Sequence, residues 1–189
     1  MRIYLFFCGV YVSPSTKFLG PMILKGNISK KTLKIGKNII FQPNVELKVR
    51  GDGVIELQDG VQLDNNVRII AAEKRKILLM TGVQIGFGTI LNGGEDVTVG
   101  KGSAIASNCL IQASEHVLPI PKDIDVVDSG YVRGKIKIGN SVWIAANVII
   151  RPDSTIQDNV VVGAFSIVKG NLEKGCFYAG LQLTKIRDA

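Results

Sequence analysis

The sequence contains few of the residues on which disulfide scaffolds and metal sites depend. It has three cysteines, Cys8, Cys109 and Cys176, and one histidine in 189 residues. The cysteines lie far apart with no C-x-x-C pair and no neighbouring histidine, which argues against a disulfide framework and against a structural zinc site. Isolated thiols are typical of a reducing compartment. We therefore expect a cytoplasmic protein with no bound metal.

Long apolar runs are also absent. The opening stretch MRIYLFFCGVYV is apolar, but its 12 residues fall short of the roughly 20 that a membrane-spanning helix needs. Its only charge is Arg2, and no small-residue cleavage site follows, so a secretory signal is disfavoured. We expect this segment to form a docked strand or a peripheral contact with the inner face of the membrane.

Acidic residues are scarce in the first two-fifths of the chain. Residues 1–76 hold 13 Lys or Arg and 6 Asp or Glu, a balance of +7 that equals the net charge of the whole chain. This excess of positive charge belongs either to a solvated face without further function or to a surface whose electrostatic field attracts an acidic polymer or a membrane. Nucleic acid is disfavoured because no aromatic residues are interleaved to stack on bases. The residues of this region that we take as candidates for binding such an acidic polymer are Lys30, Lys31, Lys34 and Lys37.

A repeat is the strongest feature of the sequence. Two aliphatic residues two positions apart, a short turn and a further small or aliphatic residue recur five times, with the second aliphatic at positions 35, 57, 79, 99 and 138. The steps between them are 22, 22, 20 and 39 residues, and the last step is one 20-residue unit with 19 residues inserted. Self-similarity at such a period is typical of solenoids.

A shorter period of six residues occurs inside each unit. It is clearest from Ile138 through Ile144, Ile150, Ile156 and Val162 to Val168. A period of six fits neither the 3.6 of an amphipathic helix nor the 2 of an ordinary strand. It predicts a coil of three short strands separated by corners, where Gly, Asn and Asp provide the tight turns. The hydrophobic content of 46% suits one domain over residues 1–189, with the solenoid at about 33–170, an inserted loop at 117–135 and a C-terminal tail at 171–189.

Residues 33–170 resemble the hexapeptide-repeat acyltransferases. Ile138-Gly-Asn-Ser-Val-Trp-Ile-Ala-Ala-Asn-Val-Ile-Ile150 is similar to a segment of the galactoside, maltose and polysaccharide O-acetyltransferases. Val162-Gly-Ala-Phe-Ser-Ile-Val168 resembles their I-G-A-G-S-V-V, and Ile90-Leu-Asn-Gly-Gly94 and Ser114-Glu-His116 resemble the segments that lead into the active site. The resemblance implies an all-β, left-handed parallel β-helix that forms a homotrimer. It also implies acetyl-CoA as the donor and a hydroxyl of a glycan as the acceptor.

His116 is the candidate catalytic residue. It is the only histidine, it ends a hexad, and the inserted loop begins immediately after it. Neutral imidazole can take a proton from an acceptor hydroxyl as that hydroxyl attacks a thioester, and the resemblance implies this role. A surface histidine without function is the alternative. Cys109 is a less attractive nucleophile because it falls at an inward position, where burial makes a thiol inert.

The resemblance also implies roles for other residues. Trp143 would wall the acetyl and acceptor site, although an outward tryptophan can also serve to pack a loop or a neighbouring subunit. Ala146 would offer its backbone N–H to the thioester carbonyl, and Ala164 would lie beside the pantetheine arm. The remaining residues in this set are Lys169, Lys185 and Arg187 at the cofactor and Asn92 at the acceptor.

The sequence departs from the family pattern at two places that bear on cofactor binding. It also leaves several acceptor molecules as alternatives. Phe165 replaces a glycine beside the expected pantetheine groove, and the tail Ala179-Gly-Leu-Gln-Leu-Thr-Lys-Ile-Arg187 lacks the family's proline and one basic residue. The charge asymmetry favours an anionic capsular or surface polysaccharide. N-acetylation of a nucleotide-linked amino sugar, O-acetylation of serine and a non-catalytic glycan-binding solenoid are the alternatives.

Overall fold

The computed structural model describes residues 1–118, 122–181 and 184–188. Almost all of the regular structure in them is β-strand, as the hexad pattern predicts. The exceptions are helix α1 (Arg2–Phe7) and a 3₁₀ turn at Val126–Asp128. No helix in this part of the chain is both long and apolar enough to cross a membrane.

Three parallel sheets, here called A, B and C, form the sides of a prism. The chain visits them in turn, so that strands from successive coils lie side by side. Sheet A contains β1 (Lys17–Phe18), β4 (Ile40–Phe41), β7 (Gln62–Leu63), β10 (Gln84–Ile85), β13 (Ala104–Ile105), β18 (Trp143–Ile144), β21 (Val161–Val162), β24 (Cys176–Ala179) and the antiparallel β25 (Thr184–Asp188).

Sheets B and C have seven strands each. Sheet B contains β2 (Met22–Gly26), β5 (Val45–Val49), β8 (Arg68–Ala71), β11 (Ile90–Gly93), β14 (Leu110–Gln112), β19 (Ile149–Ile150) and β22 (Ile167–Val168). Sheet C contains β3 (Leu33–Ile35), β6 (Val54–Leu57), β9 (Lys76–Leu79), β12 (Val97–Val99), β17 (Ile136–Ile138), β20 (Thr155–Ile156) and β23 (Asn171–Leu172). A separate hairpin joins β15 (Ser114–His116) to β16 (Tyr131–Arg133).

The interior consists of aliphatic columns that run along each sheet, and sheet C has two of them, through Leu33 and through Ile35. In sheet A, for example, Leu63, Ile85, Ile105, Ile144 and Val162 are stacked in register and are at most 2% exposed. Each column follows from the hexad, because the aliphatic of every hexad points inward and meets its equivalents in the coils above and below. A ladder of backbone hydrogen bonds then fixes the spacing of coils at about 4.8 Å.

The turns between sheets A and B, called the A–B edge, repeat one backbone conformation. At each of these turns from the second coil onward, one residue has a positive φ, a conformation that Asn and Gly adopt more readily than other residues. These residues are Asn44, Asn66, Gly88, Asn108, Asn147 and Phe165. Phe165 departs from the pattern: it holds φ +57° with a side chain that is 67% exposed.

Both ends of the prism differ from the expected boundaries. Coiling begins at Lys17, where β1 pairs with β4, rather than at residue 33, and sheet A continues to Ala179 in β24. The expectation of a docked strand at the N-terminus is wrong. Residues 2–7 form α1 instead, with Leu5 fully buried over the first coil, because the open end of the prism needs an apolar cover rather than another strand.

Candidate active site

An arm formed by residues 113–134 leaves the prism between sheets B and C, at the B–C edge. Its two strands, β15 and β16, pair antiparallel with His116 opposite Tyr131 and Ser114 opposite Arg133. The Gly134 N–H donates to Ala113 O at 3.1 Å and so closes the arm at its base. Sheet C then resumes in register, with Val97 paired to Ile136. Residues 119–121 of the expected loop 117–135 lie outside the described residues.

Gly94 allows the arm to lie against the B–C edge. A Cβ atom added there would stand 2.1 Å from Ser114 Oγ and 2.4 Å from Ser114 Cβ. No real side chain fits in that space. The glycine of the Asn92-Gly-Gly94 corner is therefore what brings β15 onto the neighbouring coil.

His116 is half-buried and packs on an aromatic ring of the arm. The ring centroids of His116 and Tyr131 are 4.5 Å apart, with an interplanar angle of 36°. His116 Nδ1 is buried and has no hydrogen-bond partner among the described residues. A buried polar atom without a partner is costly, so a partner supplied by a ligand or a second chain would stabilise this arrangement.

An ion pair fixes the strand that carries His116. Arg151, which follows β19, donates from Nε to Glu115 Oε1 at 2.8 Å and from Nη2 to Glu115 Oε2 at 2.6 Å. The hydrogen bond from Arg151 holds the pKa of Glu115 below its ordinary value, and Lys169 acts in the same direction. Neither member of this pair was predicted from the sequence, although Glu115 lies inside the Ser114-Glu-His116 motif.

A cavity of about 460 Å³ is lined by Tyr131, on which His116 packs, although His116 itself is not one of the lining residues. It runs along the B–C edge from the second coil to the arm, and Asn92 lies in its wall as one of the predicted acceptor residues. Arg50 and Arg133 also line it, and neither forms an ion pair within the described part of the chain. The remaining lining residues are Ile70, Ala72, Glu73, Gly94, Ser114 and Tyr131.

The predicted lysine group does not form one patch. Lys30 and Lys31 stand at the B–C edge of the first coil, one coil before Arg50. Lys34 lies on sheet C and pairs with Glu56 at 3.5 Å. Lys37 lies at the edge between sheets C and A, where its backbone N–H donates to Asp59. Only Lys30 and Lys31 share an edge with the cavity.

Several residues expected at the donor lie on sheet A and the A–B edge, away from His116. Trp143 is 55% exposed on sheet A. The backbone N–H of Ala146 makes no hydrogen bond within the described residues, while its carbonyl accepts from the Phe165 N–H at 3.1 Å. Ala164 is the neighbour of Phe165 on this edge. One chain therefore does not bring Trp143 or Ala146 together with His116.

The basic residues expected at the cofactor are also divided. Lys169 follows β22 at the B–C edge, near Glu115. Lys185 and Arg187 lie on β25, which pairs antiparallel with β24, and Lys185 Nζ is 3.7 Å from Glu173 Oε2. These two residues therefore lie at the last coil of sheet A, on a different side of the prism from Lys169.

Cys109 is buried and 2% exposed, as the hexad predicts. Burial raises the pKa of its thiol, and Cys109 Sγ donates to Ala145 O at 3.1 Å. These contacts disfavour thiolate chemistry. No group of three or more His, Cys, Asp or Glu residues that could hold a metal ion occurs in residues 1–118, 122–181 and 184–188.

Comparison with known proteins agrees with this architecture. Residues 135–170 match the family described as bacterial transferase hexapeptide (six repeats). WbbJ of Escherichia coli strain K12, which carries the name of an O-acetyl transferase of lipopolysaccharide biosynthesis, is 29% identical over 160 residues that cover 79% of this chain and 68% of WbbJ. The galactoside O-acetyltransferase of the same strain is 36% identical over 92 residues, 49% of this chain and 44% of that enzyme.

A solved structure extends the comparison to three dimensions. AntD, an N-acyltransferase from Bacillus cereus crystallised with dTDP and 3-hydroxybutyryl-CoA, superposes with a TM-score of 0.68 and 25% identity, covering 82% of this chain and 81% of AntD. The coils, their edges and the arm thus define a left-handed parallel β-helix built from hexapeptide repeats. Residues 135–170 thus match a hexapeptide-repeat transferase family, and over 79% of its length the chain is similar to an O-acetyl transferase.

Proposed function

We propose that this protein transfers an acetyl group from acetyl-CoA to a hydroxyl of a glycan, with His116 as the general base. The observation that carries the proposal is the position of His116. Its strand is braced by the Glu115–Arg151 pair, and its ring packs on Tyr131, which lines a cavity of about 460 Å³. The names of WbbJ and of the galactoside O-acetyltransferase support O-acetylation of a saccharide. AntD, solved with an acyl-CoA, supports a coenzyme A thioester as donor.

The proposed reaction is direct transfer. The acceptor hydroxyl attacks the thioester carbonyl while His116 takes the hydroxyl proton. The tetrahedral intermediate then expels the coenzyme A thiolate, which takes that proton from His116 and restores the neutral imidazole. Ala146 supplies a backbone N–H for the negative oxygen of that intermediate. An acyl-enzyme on Cys109 is not part of the scheme, because its thiol is buried and hydrogen-bonded.

We further propose that the complete site forms between subunits of a homotrimer. The support is the separation of the two halves: His116 and the cavity lie at the B–C edge, whereas Trp143 and Ala146 lie on sheet A and the A–B edge. In a closed ring, one subunit's B–C edge can face the other half on its neighbour. Ala164, Lys169, Lys185 and Arg187 would then line the path of coenzyme A, and the exposed ring of Phe165 would narrow it.

Mixing two inactive variants tests this arrangement. His116→Ala and Trp143→Ala subunits should be nearly inactive alone, and co-assembled trimers should regain activity because some interfaces combine two intact halves. Sedimentation should report a trimer. A monomer, or mixtures no more active than the separate variants, would contradict a shared site.

The acceptor that we propose is an anionic capsular or surface polysaccharide, modified in the cytoplasm. The support is the pair of cavity arginines that lack ion-pair partners in the described part of the chain, with Lys30 and Lys31 continuing the positive charge along the same edge. N-acylation of a nucleotide-linked amino sugar is the second candidate, and the AntD complex favours it over serine O-acetylation or a non-catalytic solenoid. Amine acceptors assayed beside hydroxyl acceptors separate these reactions.

Replacing His116 tests the catalytic proposal. His116→Ala should lower kcat for acetyl transfer by roughly 10²- to 10⁴-fold, the usual contribution of a general base, with acetyl-CoA affinity and melting temperature nearly unchanged. Val117→Ala is the matched control, since it trims the next residue of the arm without removing an ionisable group. Activity of His116→Ala within a few-fold of wild type would remove His116 from the mechanism.

A further inference from the structure

The N-terminal cap, residues 1–12, is firmly attached to the first coil. Leu5 and Val10 are buried in the core, at 0% and 4% exposure. Arg2 donates from Nη1 to Ser13 O at 2.8 Å, contacts Thr16 O, and lies over the Phe18 ring at 5.5 Å from the centroid. The outward face of the cap is therefore held in one orientation at the end of the prism.

That outward face is aromatic. Tyr4, Phe6, Phe7 and Tyr11 are 53%, 77%, 81% and 71% exposed. Phe6 and Phe7 pack edge to face, with ring centroids 6.1 Å apart. Single exposed apolar residues are ordinary on a protein surface, but a cluster of large aromatics marks a contact with a partner or a membrane.

The coil beneath the cap is strongly basic. Residues 1–45 contain seven Lys or Arg and no Asp or Glu, while residues 46–189 contain 16 of each sign. The entire net charge of +7 therefore belongs to the cap and the adjoining turn and a half of the prism. Lys17 on sheet A and Lys30 and Lys31 at the B–C edge have no carboxylate partner among the described residues. Lys30 also lies beside Gly9 of the cap, its Cδ 3.8 Å from the position of an added Cβ.

We propose that the N-terminal cap docks peripherally on an anionic lipid bilayer. Aromatic side chains partition into the membrane interface, and lysines within a Debye length are attracted by anionic headgroups. A polyanion in solution would satisfy the lysines but leave Phe6 and Phe7 in water, and an apolar protein surface would do the reverse. An anionic bilayer satisfies both within one contact. The contact is peripheral because α1 has only six residues, and it does not depend on the proposed chemistry.

Vesicle flotation of the full chain tests the proposal. Wild type should float with vesicles of phosphatidylcholine and phosphatidylglycerol at low salt, bind phosphatidylcholine alone weakly, and be released by high salt. The double variant Phe6→Ser, Phe7→Ser should lose at least about tenfold in partitioning, because it removes two rings from the apolar contact. Leu181→Ser is the matched control, because Leu181 is 72% exposed near the opposite end of the prism, and it should bind like wild type.

Charge variants and activity complete the test. Lys17→Gln with Lys31→Gln should weaken partitioning about fivefold per lysine, whereas Lys101→Gln with Lys174→Gln, exposed on later coils, should not. The Phe6 and Phe7 double variant should melt like wild type and acetylate a short soluble acceptor at the wild-type rate, which separates this proposal from the catalytic one. Failure of wild type to float with anionic vesicles, or flotation unaffected by the phenylalanine changes, would overturn it. Flotation that needs the lysines but not the phenylalanines would overturn it in favour of a purely electrostatic site.

Discussion

Neutralising the two arginines of the cavity should change which acceptor is used, not whether transfer occurs. Arg50 comes from the turn after β5 and Arg133 from β16 of the arm, so residues far apart in sequence place two guanidinium groups on one cavity. Each can donate paired hydrogen bonds to a carboxylate or phosphate. We expect Arg50→Gln and Arg133→Gln to weaken productive binding of an anionic acceptor while sparing a neutral one.

The size of the effect follows from the exposure of these side chains. A hydrogen bond to a charged group contributes about 1.5 to 3 kcal/mol, and both arginines are exposed at the cavity rim, so the lower figure applies. About 1.5 kcal/mol corresponds to roughly tenfold in kcat/KM for each single variant. The double variant should lose less than the product of the two if both arginines hold the same anionic group.

The assay compares kcat/KM for an acidic oligosaccharide and for its methyl ester, which keeps the sugar and removes the charge. Arg68→Gln is the matched control, because Arg68 lies on sheet B but already pairs with Glu46 at 3.1 Å. It should leave both values unchanged. An equal loss on the acid and on the ester, or no loss on either, would refute a charge-reading role for the arginines.

Two further predictions concern the scaffold. Ser103 Oγ donates to Gly139 O at 2.8 Å and accepts from Val142 N at 2.9 Å, and so links the coils before and after the arm. Ser103→Ala should therefore lower the free energy of unfolding by about 1 to 3 kcal/mol and the melting temperature by roughly 3 to 10 °C. Ser107→Ala is the control, because the Ser107 hydroxyl makes no such pair of bonds among the described residues, and equal melting temperatures of the two variants would contradict this role of Ser103. Because Arg151 lowers the pKa of Glu115 in the folded state, the pair stabilises the fold above the ordinary pKa of a glutamate and ceases to do so as the pH falls through the lowered value. Glu115→Gln should therefore lower the free energy of unfolding at neutral pH by about 1 kcal/mol or less, because the pair is accessible to solvent. This difference from wild type should vanish in acid. A constant difference across the pH range would show that the charge of Glu115 is not responsible.

The solenoid was predictable because its stabilising pattern is local and repeated. Ile138, Ile144 and Ile150 each specify one inward position, and stacking follows from repetition. The first coil was missed because its contacts are less regular: Phe18 stacks on Phe41 at 5.2 Å where later coils place aliphatic residues. Helix α1 was missed because six residues provide no period to detect.

The candidate site was predictable only where the hexad reaches it. His116 ends a hexad, so the pattern could single it out as a candidate, and its catalytic role stays a prediction. Tyr131 and Arg133 reach the cavity through the irregular arm and Arg50 reaches it from a distant coil, so no local pattern marks them. The lysines show the converse error. Lys30 and Lys37 are seven positions apart in sequence. However, Lys30 lies at the B–C edge and Lys37 at the edge between sheets C and A, so proximity in sequence did not give a common surface.

The register of sheet C across the arm shows that the strand ladder constrains the residues of the arm less than the residues of the coils. Val97 pairs with Ile136 although 38 residues lie between them, so the stacking of the coils is indifferent to what the arm contains. The arm keeps its closure between Gly134 and Ala113 and its contact with Gly94, but the ladder does not fix its sequence between those points. Residues at the A–B edge lie between strands of the ladder on both sides. With the acceptor and the donor bound as we propose, a change of acceptor could arise by local substitution in the arm, whereas a change of donor would require changes at an edge that every coil shares.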